Sequence, residues 1–325
     1  MSIDWINEVL DTIPEMAWDP RQGLKVEREK PHLVPEPEAL SWLEEYLYAH
    51  CYAHWNSNAF QSSSNDDEEL FVEQLLLATS RAYYWDPGWI ITSVFEGGAF
   101  ATNERVQVFI DDLSRVFPST PRKGEVVNLK IPCSWPNLSP GFFYLFGPNG
   151  LFPKDCSLMR FYLNIAPEYA SELLATLLDV LGPEGVRFEA KVAKKPDAYR
   201  RVDPAVIYAA VEGVRSIQHQ LIELSYRHPE WWREGIPLFT KQLAKGLAMA
   251  ESPRFEPGKD RQSFGAHRCR LLAQGILDAL QKGYTQQAAC RDCVERAFWV
   301  EGIDPKYPYA QVLPIETFDL PPAHA

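Results

Sequence analysis

The sequence predicts an α+β protein with an acidic helical N-terminal part, a small β unit and a C-terminal α/β half built on a mixed sheet. Three observations carry this reading. Apolar residues in the first part recur at spacings of three and four; the period changes to two near Gly88; and beyond residue 149 strand-like and helix-like stretches alternate. The expected divisions are 1–87, 88–148 and 149–325.

In the first division, EPEALSWLEEYLYAHCYAHW (36–55) places Leu40, Leu43, Leu47 and Cys51 on one helical stripe after a proline-rich lead-in. DDEELFVEQLLLATSRAYY opens with acids that suit a helix N-terminus, and NSNAFQSSSN between the two reads as a polar loop. In the second, GWIITSVFEG, RVQVFI, EVVNLKIP and GFFYLFG are short strand-like runs punctuated by Gly, Pro, Asn and Asp. In the third, MRFYLNIAP is a strand, PEYASELLATLLDVLGPEG a helix with Pro at its start and Gly at its end, and VRFEAKVA a strand, which together read as a β-α-β unit. PAVIYAAV adds a strand, GVRSIQHQLIELSYRH a helix, and the stretches ending in LQKG and WVEG are two terminal helices.

With 46% hydrophobic and 13% aromatic residues, the 325-residue chain can bury a large core. Its net charge of −12 resides in residues 1–75, where 16 acids face 4 bases. That balance argues against general nucleic-acid binding, which needs clustered cations. No run approaches the roughly 20 apolar residues that span a bilayer, and the acidic N-terminus lacks the features of a signal peptide. A cytoplasmic protein with no membrane partner is expected. Six scattered cysteines suggest reduced thiols.

Against this background the basic run FEAKVAKKPDAYRRVD (188–203), with five Lys and Arg against three acids, marks a local anion site. Strand alternation places Arg160, Tyr162 and Asn164 on one face of RFYLNI, and Arg187, Glu189 and Lys191 opposite the apolar side of VRFEAKV. Neighbouring strands would bring Arg160 and Lys191 onto one surface; a solvated sheet face is the plainer alternative. In QSFGAHRCR, Ser263 suits an N-cap whose free N–H groups attract phosphate. A helical wheel turns Arg268 inward, as a ligand or as a structural arginine bonding carbonyls, and His267 toward the polar side. Cys290 and Cys293 have CxxC spacing inside a helical pattern without a second ligand pair, and His50 and His54 share a helix face without a glutamate. No Walker, dinucleotide-binding or GxSxG motif is present.

The ordered series RFYLNI, FEAKV, YRRVD, VIY, PLFTKQLAKGLAMAESP and SFGAHRCRLLAQGI resembles the HopA-type effector family, and LSPGFFYLFG extends the similarity to about residues 88–280. In class V lanthipeptide pathways, members of that family are lyases that remove phosphate from phosphoserine or phosphothreonine of a precursor peptide, leaving dehydroalanine or dehydrobutyrine. The resemblance therefore implies a phosphorylated precursor peptide as substrate, a separate kinase as partner, and no cofactor or metal. Arg160, Arg201 and Arg268 are the phosphate-binding candidates, because a planar guanidinium bonds two oxygens at once. Lys191 is the candidate base for the α-proton, an amine among other cations releasing its proton more readily. His267, Tyr162 and Tyr199 are alternative general acids, with Asn164, Asp203 and Ser263 in support, and Lys194, Lys195 and Arg200 solubilising. Some effector relatives have no settled activity, so the rivals are a non-catalytic interaction protein that recognises a phosphorylated partner and an accessory subunit of a kinase.

Overall fold

The computed structural model describes residues 4–27, 32–54, 64–103, 106–153, 156–254 and 262–311. The polar loop expected at 56–65 lies almost wholly outside them.

Helix α1 (Asp4–Thr12) is followed by a three-stranded antiparallel sheet, β1 (Met16–Asp19), β2 (Gly23–Val26) and β3 (His32–Val34). The helical reading of the N-terminal part missed this sheet, because strands of three and four residues are too short to display alternation. α2 (Glu36–Leu47) starts on Pro35 with Glu36 and Glu38 in its first turn and buries Ala39, Leu43 and Leu47. Where one continuous helix was expected, the backbone widens into a π-helical turn at Tyr48–Tyr52 that buries Cys51 and Tyr52. α3 (Asn65–Thr79) opens with a capping box. The Ser64 hydroxyl accepts from the Asp67 N–H at 3.1 Å, and the Ser64 N–H donates to the Asp67 carboxylate at 2.8 Å.

The small β unit is a five-stranded antiparallel sheet made of β4 (Tyr83–Phe95), β5 (Gly98–Thr102), β6 (Gln107–Ile110), β7 (Val116–Phe117) and β8 (Val126–Pro132), in the order β6-β5-β4-β8-β7. Trp89, Ile91, Ala99, Ala101, Ile110, Val116, Val127 and Leu129 form its own core. Its predicted limits shift. The hairpin of β9 (Ser134–Ser139) and β10 (Phe142–Phe146), expected within it, belongs to the large sheet instead.

That large sheet has seven strands, completed by β11 (Leu158–Leu163), β12 (Phe188–Ala193), β13 (Ala205–Ala210), β14 (Lys241–Ala244) and β15 (Leu247–Glu251). Its order is β14-β15-β11-β13-β12-β10-β9, and every pairing is antiparallel, not mixed. The connection from β11 through α4 (Ala170–Leu181) to β12 skips one position, and β13 fills the gap antiparallel to both. The expected β-α-β unit is therefore split, and Arg160 and Lys191 stand two strands apart.

α4 and α5 (Val214–Arg227) pack on the sheet, and Phe161, Leu163, Phe188, Ala190, Val192, Ile207 and Ala209 are buried. The Tyr162 side meets the π-helical turn and α6 (Phe264–Gln281), with the Tyr162 ring 6.5 Å from Tyr52 and 6.1 Å from Phe264. Gly265 makes this packing possible, since a Cβ there would fall 2.4 Å from the Tyr52 ring. α6 pairs with α7 (Gln287–Val300). One continuous core runs from Trp5 through the sheet to Tyr309 and Ala310, so the N-terminal helices and the C-terminal half form a single packed body. Among the described residues, no helix is long and apolar enough to cross a membrane.

Candidate functional site

Registers across the large sheet define one polar face. Arg160 faces Tyr208, Tyr208 faces Glu189 and Glu189 faces Phe146; one step along, Tyr162 faces Val206, Val206 faces Lys191 and Lys191 faces Tyr144. Paired residues point to the same side. Arg160 and Lys191 therefore share a face, joined through Tyr208. The Arg160 guanidinium lies 5.3 Å from the Tyr208 ring centre, and the Lys191 ammonium lies 6.0 Å from that same centre and 4.5 Å from the Phe142 ring. Arg160 Nε donates to the Ser252 hydroxyl at 2.9 Å. Among the described residues neither cation forms a salt bridge, although both are half-buried. Two such charges on one ring make a surface suited to a dianion.

Tyr162 is on the polar face, but only 2% of it is exposed, and its hydroxyl has no hydrogen-bond partner among the described residues. Burial raises its pKa well above the ordinary phenol value. Tyr199 is a core residue: its hydroxyl donates to the Ala193 carbonyl at 3.1 Å and its ring packs edge-on against Phe71. Arg201 is closed by Asp203 in a two-pronged ion pair of 2.7 and 2.8 Å, and it also donates to the Tyr48 hydroxyl at 2.9 Å. Asn164 lies just past the end of β11 and ties down the following loop by donating to the carbonyls of Glu234 at 2.7 Å and Gly235 at 3.1 Å.

Arg268 is turned inward as the wheel argument required, and it bonds carbonyls. Nε donates to Pro308 O at 2.7 Å and one terminal nitrogen to Ala310 O at 3.1 Å; with the Gln311 amide oriented to satisfy both its atoms, both terminal nitrogens donate to its oxygen at 2.9 and 2.8 Å. A terminal nitrogen also reaches Nδ1 of His267 at 2.8 Å. Burial lowers the Arg268 pKa to about 9. His267 is not a solvent-facing residue: its side chain is 13% exposed between Arg268 and Glu301, which lies 3.4 Å away. Its pKa is lowered by burial and next by the Arg268 charge. Ser263 caps α6 as expected, its hydroxyl accepting from the Ala266 N–H at 3.1 Å. The turn that follows buries Phe264 and Gly265, the latter against the Tyr52 ring.

Lys194 and Lys195 are not simply solubilising. They reach Glu68 of α3 at 3.7 and 3.0 Å, which ties the basic run to the acidic N-terminal part. Cys290 and Cys293 are free thiols on α7, and among the described residues no three His, Cys, Asp or Glu side chains converge as a metal site.

Sequence reasoning missed Tyr208, Tyr144, Phe142 and Ser252 as constituents of the polar face. Alternation in PAVIYAAV and FFYLF would have placed the two tyrosines beside Lys191 once the strand order was known. Burial, followed by Tyr208, pushes the Tyr144 pKa up.

The model of the HopA1 effector protein family matches residues 133–310, more than half of the chain. The match begins at the first strands of the large sheet, so the small β unit lies outside it. Solved structures similar to the chain include an effector protein from Pseudomonas syringae pv. syringae strain 61, with 18% identity, a TM-score of 0.48, and coverage of 85% of this chain and 97% of that one. Another is an effector protein from Pseudomonas syringae pv. tomato strain DC3000, with 18% identity, a TM-score of 0.47, and coverage of 85% and 100%. No curated protein matches the chain.

Proposed function

Because the chain belongs to the HopA1 effector protein family, we propose that its polar sheet face is a phosphoserine/phosphothreonine lyase site acting on a phosphorylated precursor peptide supplied by a separate kinase. The observation that carries this reading is the pair of cations, Arg160 and Lys191, set around one tyrosine ring without a carboxylate partner among the described residues. Arg160 holds the phosphate: Ser252 fixes its Nε, and its terminal nitrogens, which make no hydrogen bond among the described residues, bond the phosphate oxygens. Lys191 in its free-base form takes the α-proton, the Cα–H pair becomes the new double bond, and phosphate leaves from Cβ. The amine lies over the Phe142 ring at 4.5 Å and 6.0 Å from the centre of the Tyr208 ring, which holds it on the face that carries Arg160.

A second reading, an effector-like protein that binds a phosphorylated partner without turnover, has its own support. Arg201 is spent on Asp203 and Arg268 on carbonyls, which leaves Lys191 as the natural second phosphate ligand, and a lysine bound to phosphate cannot serve as the base. Incubating the protein with synthetic phosphothreonine and phosphoserine peptides and following their mass separates the two. Loss of phosphoric acid, abolished in Arg160→Ala, supports the lyase; binding with no mass change across the series supports the second reading.

A further inference from the structure

We infer that Tyr208 is the group that protonates the departing phosphate oxygen, an assignment that rests on the lyase reading. The sequence nominated His267, Tyr162 and Tyr199 for that task, and the structure engages or buries each of them. The Tyr199 hydroxyl is used by a carbonyl in the core, His267 sits between Arg268 and Glu301, and the Tyr162 hydroxyl is shut away from the surface. Tyr144 shares the polar face but stands on β10, three strand positions from the β11 strand that carries Arg160, and faces Lys191.

Tyr208 differs in all these respects. It occupies the middle strand of the face, directly opposite both Arg160 and Glu189, is half-buried, and lies between the phosphate ligand and the base. Its ring is within 5.3 Å of one cation and 6.0 Å of the other, so a phosphorylated residue bridging the two lies across it. Its hydroxyl forms no hydrogen bond among the described residues. On a half-buried tyrosine next to the phosphate-binding arginine, a hydroxyl without a hydrogen-bond partner among the described residues is placed to donate to a ligand.

The step balances. Lys191 Nζ accepts the α-proton, the Cα–H electron pair forms the Cα=Cβ bond, and the Cβ–O bond breaks with its pair moving to the phosphate oxygen. Tyr208 gives that oxygen its proton, so hydrogen phosphate departs. The proton on Lys191 then returns to the tyrosinate, which resets the site without any other reactant.

Tyr208→Phe removes the hydroxyl and keeps the ring that separates the cations. With a synthetic phosphothreonine peptide, elimination followed by mass spectrometry should slow by about 10²- to 10³-fold, while the affinity for the peptide changes by less than about fivefold and the melting temperature is retained. Elimination by Tyr208→Phe within threefold of the wild type overturns the assignment and leaves the lyase reading standing. If the wild type binds the phosphopeptide through Arg160 and eliminates nothing, the lyase reading falls and the proton-donor role falls with it.

Discussion

Replacing Arg268 with methionine keeps the length of the side chain and removes every donor. Four acceptors then lose a partner: the carbonyls of Pro308 and Ala310, the Gln311 side-chain oxygen and Nδ1 of His267. The residue is fully buried, so water does not replace those bonds without opening the C-terminal segment. A stranded buried acceptor costs about 1–3 kcal/mol. Removing a desolvated charge offsets part of that, and the net loss expected for breaking a buried, hydrogen-bonded charge is about 3–5 kcal/mol. Urea unfolding followed by tryptophan fluorescence measures it, and Trp5, whose indole N–H donates to Pro305 O at 2.9 Å, reports on the same segment. Under conditions where the variant stays folded, its affinity for a phosphothreonine peptide should match the wild type within twofold. A stability loss below about 1 kcal/mol, or a tenfold loss of phosphopeptide affinity in the folded variant, would refute the assignment of Arg268 to the C-terminal segment.

Other outcomes follow from the same geometry. Tyr199→Phe should lose about 0.5–1.5 kcal/mol of stability, the worth of one buried hydrogen bond, with elimination unchanged in a phosphopeptide mass assay. Asp203→Asn removes the carboxylate that pairs with the Arg201 guanidinium, 16% exposed, and should cost about 3 kcal/mol by denaturant unfolding. The His267 pKa is lowered by burial and by Arg268, so between the folded value and about 6.5 the unfolded chain binds more protons and stability falls on acidification. In unfolding titrations from pH 7.5 down to 5.5, His267→Gln should therefore have a shallower slope than the wild type, by at most about 1.4 kcal/mol per pH unit. Glu68→Gln removes the anchor of Lys194 and Lys195 and, as a partly exposed network, should cost about 1 kcal/mol or less, readable as a small drop in melting temperature.

Local pattern carried some features of this fold and long-range pairing carried others. The period of two in RFYLNI and VRFEAKV placed Arg160 and Lys191 on a polar face, because alternation is a property of a single strand. That β13 stands between them was not legible, since register and neighbour order depend on residues far apart in sequence. Tyr208 was hidden for the same reason, and because its strand carries apolar residues on both faces. The wheel turned Arg268 inward correctly, but its acceptors lie 40 and 42 residues on, beyond any local signal. Continuity in sequence groups the β9–β10 hairpin with the strands before it, whereas its pairing with β12 places it in the large sheet. Arg201 and Asp203, two residues apart on one side of an extended segment, could have been read as a pair.

The central claim is that Lys191 is a base and not only a phosphate ligand. The most direct test follows a phosphothreonine peptide by mass spectrometry with wild-type and Lys191→Ala protein, alongside a binding titration for each. The lyase account predicts that the variant retains the peptide with affinity reduced less than about tenfold, Arg160 still holding the phosphate, while dehydrated product disappears. Full dehydration by Lys191→Ala, or binding without dehydration by the wild type, would contradict it.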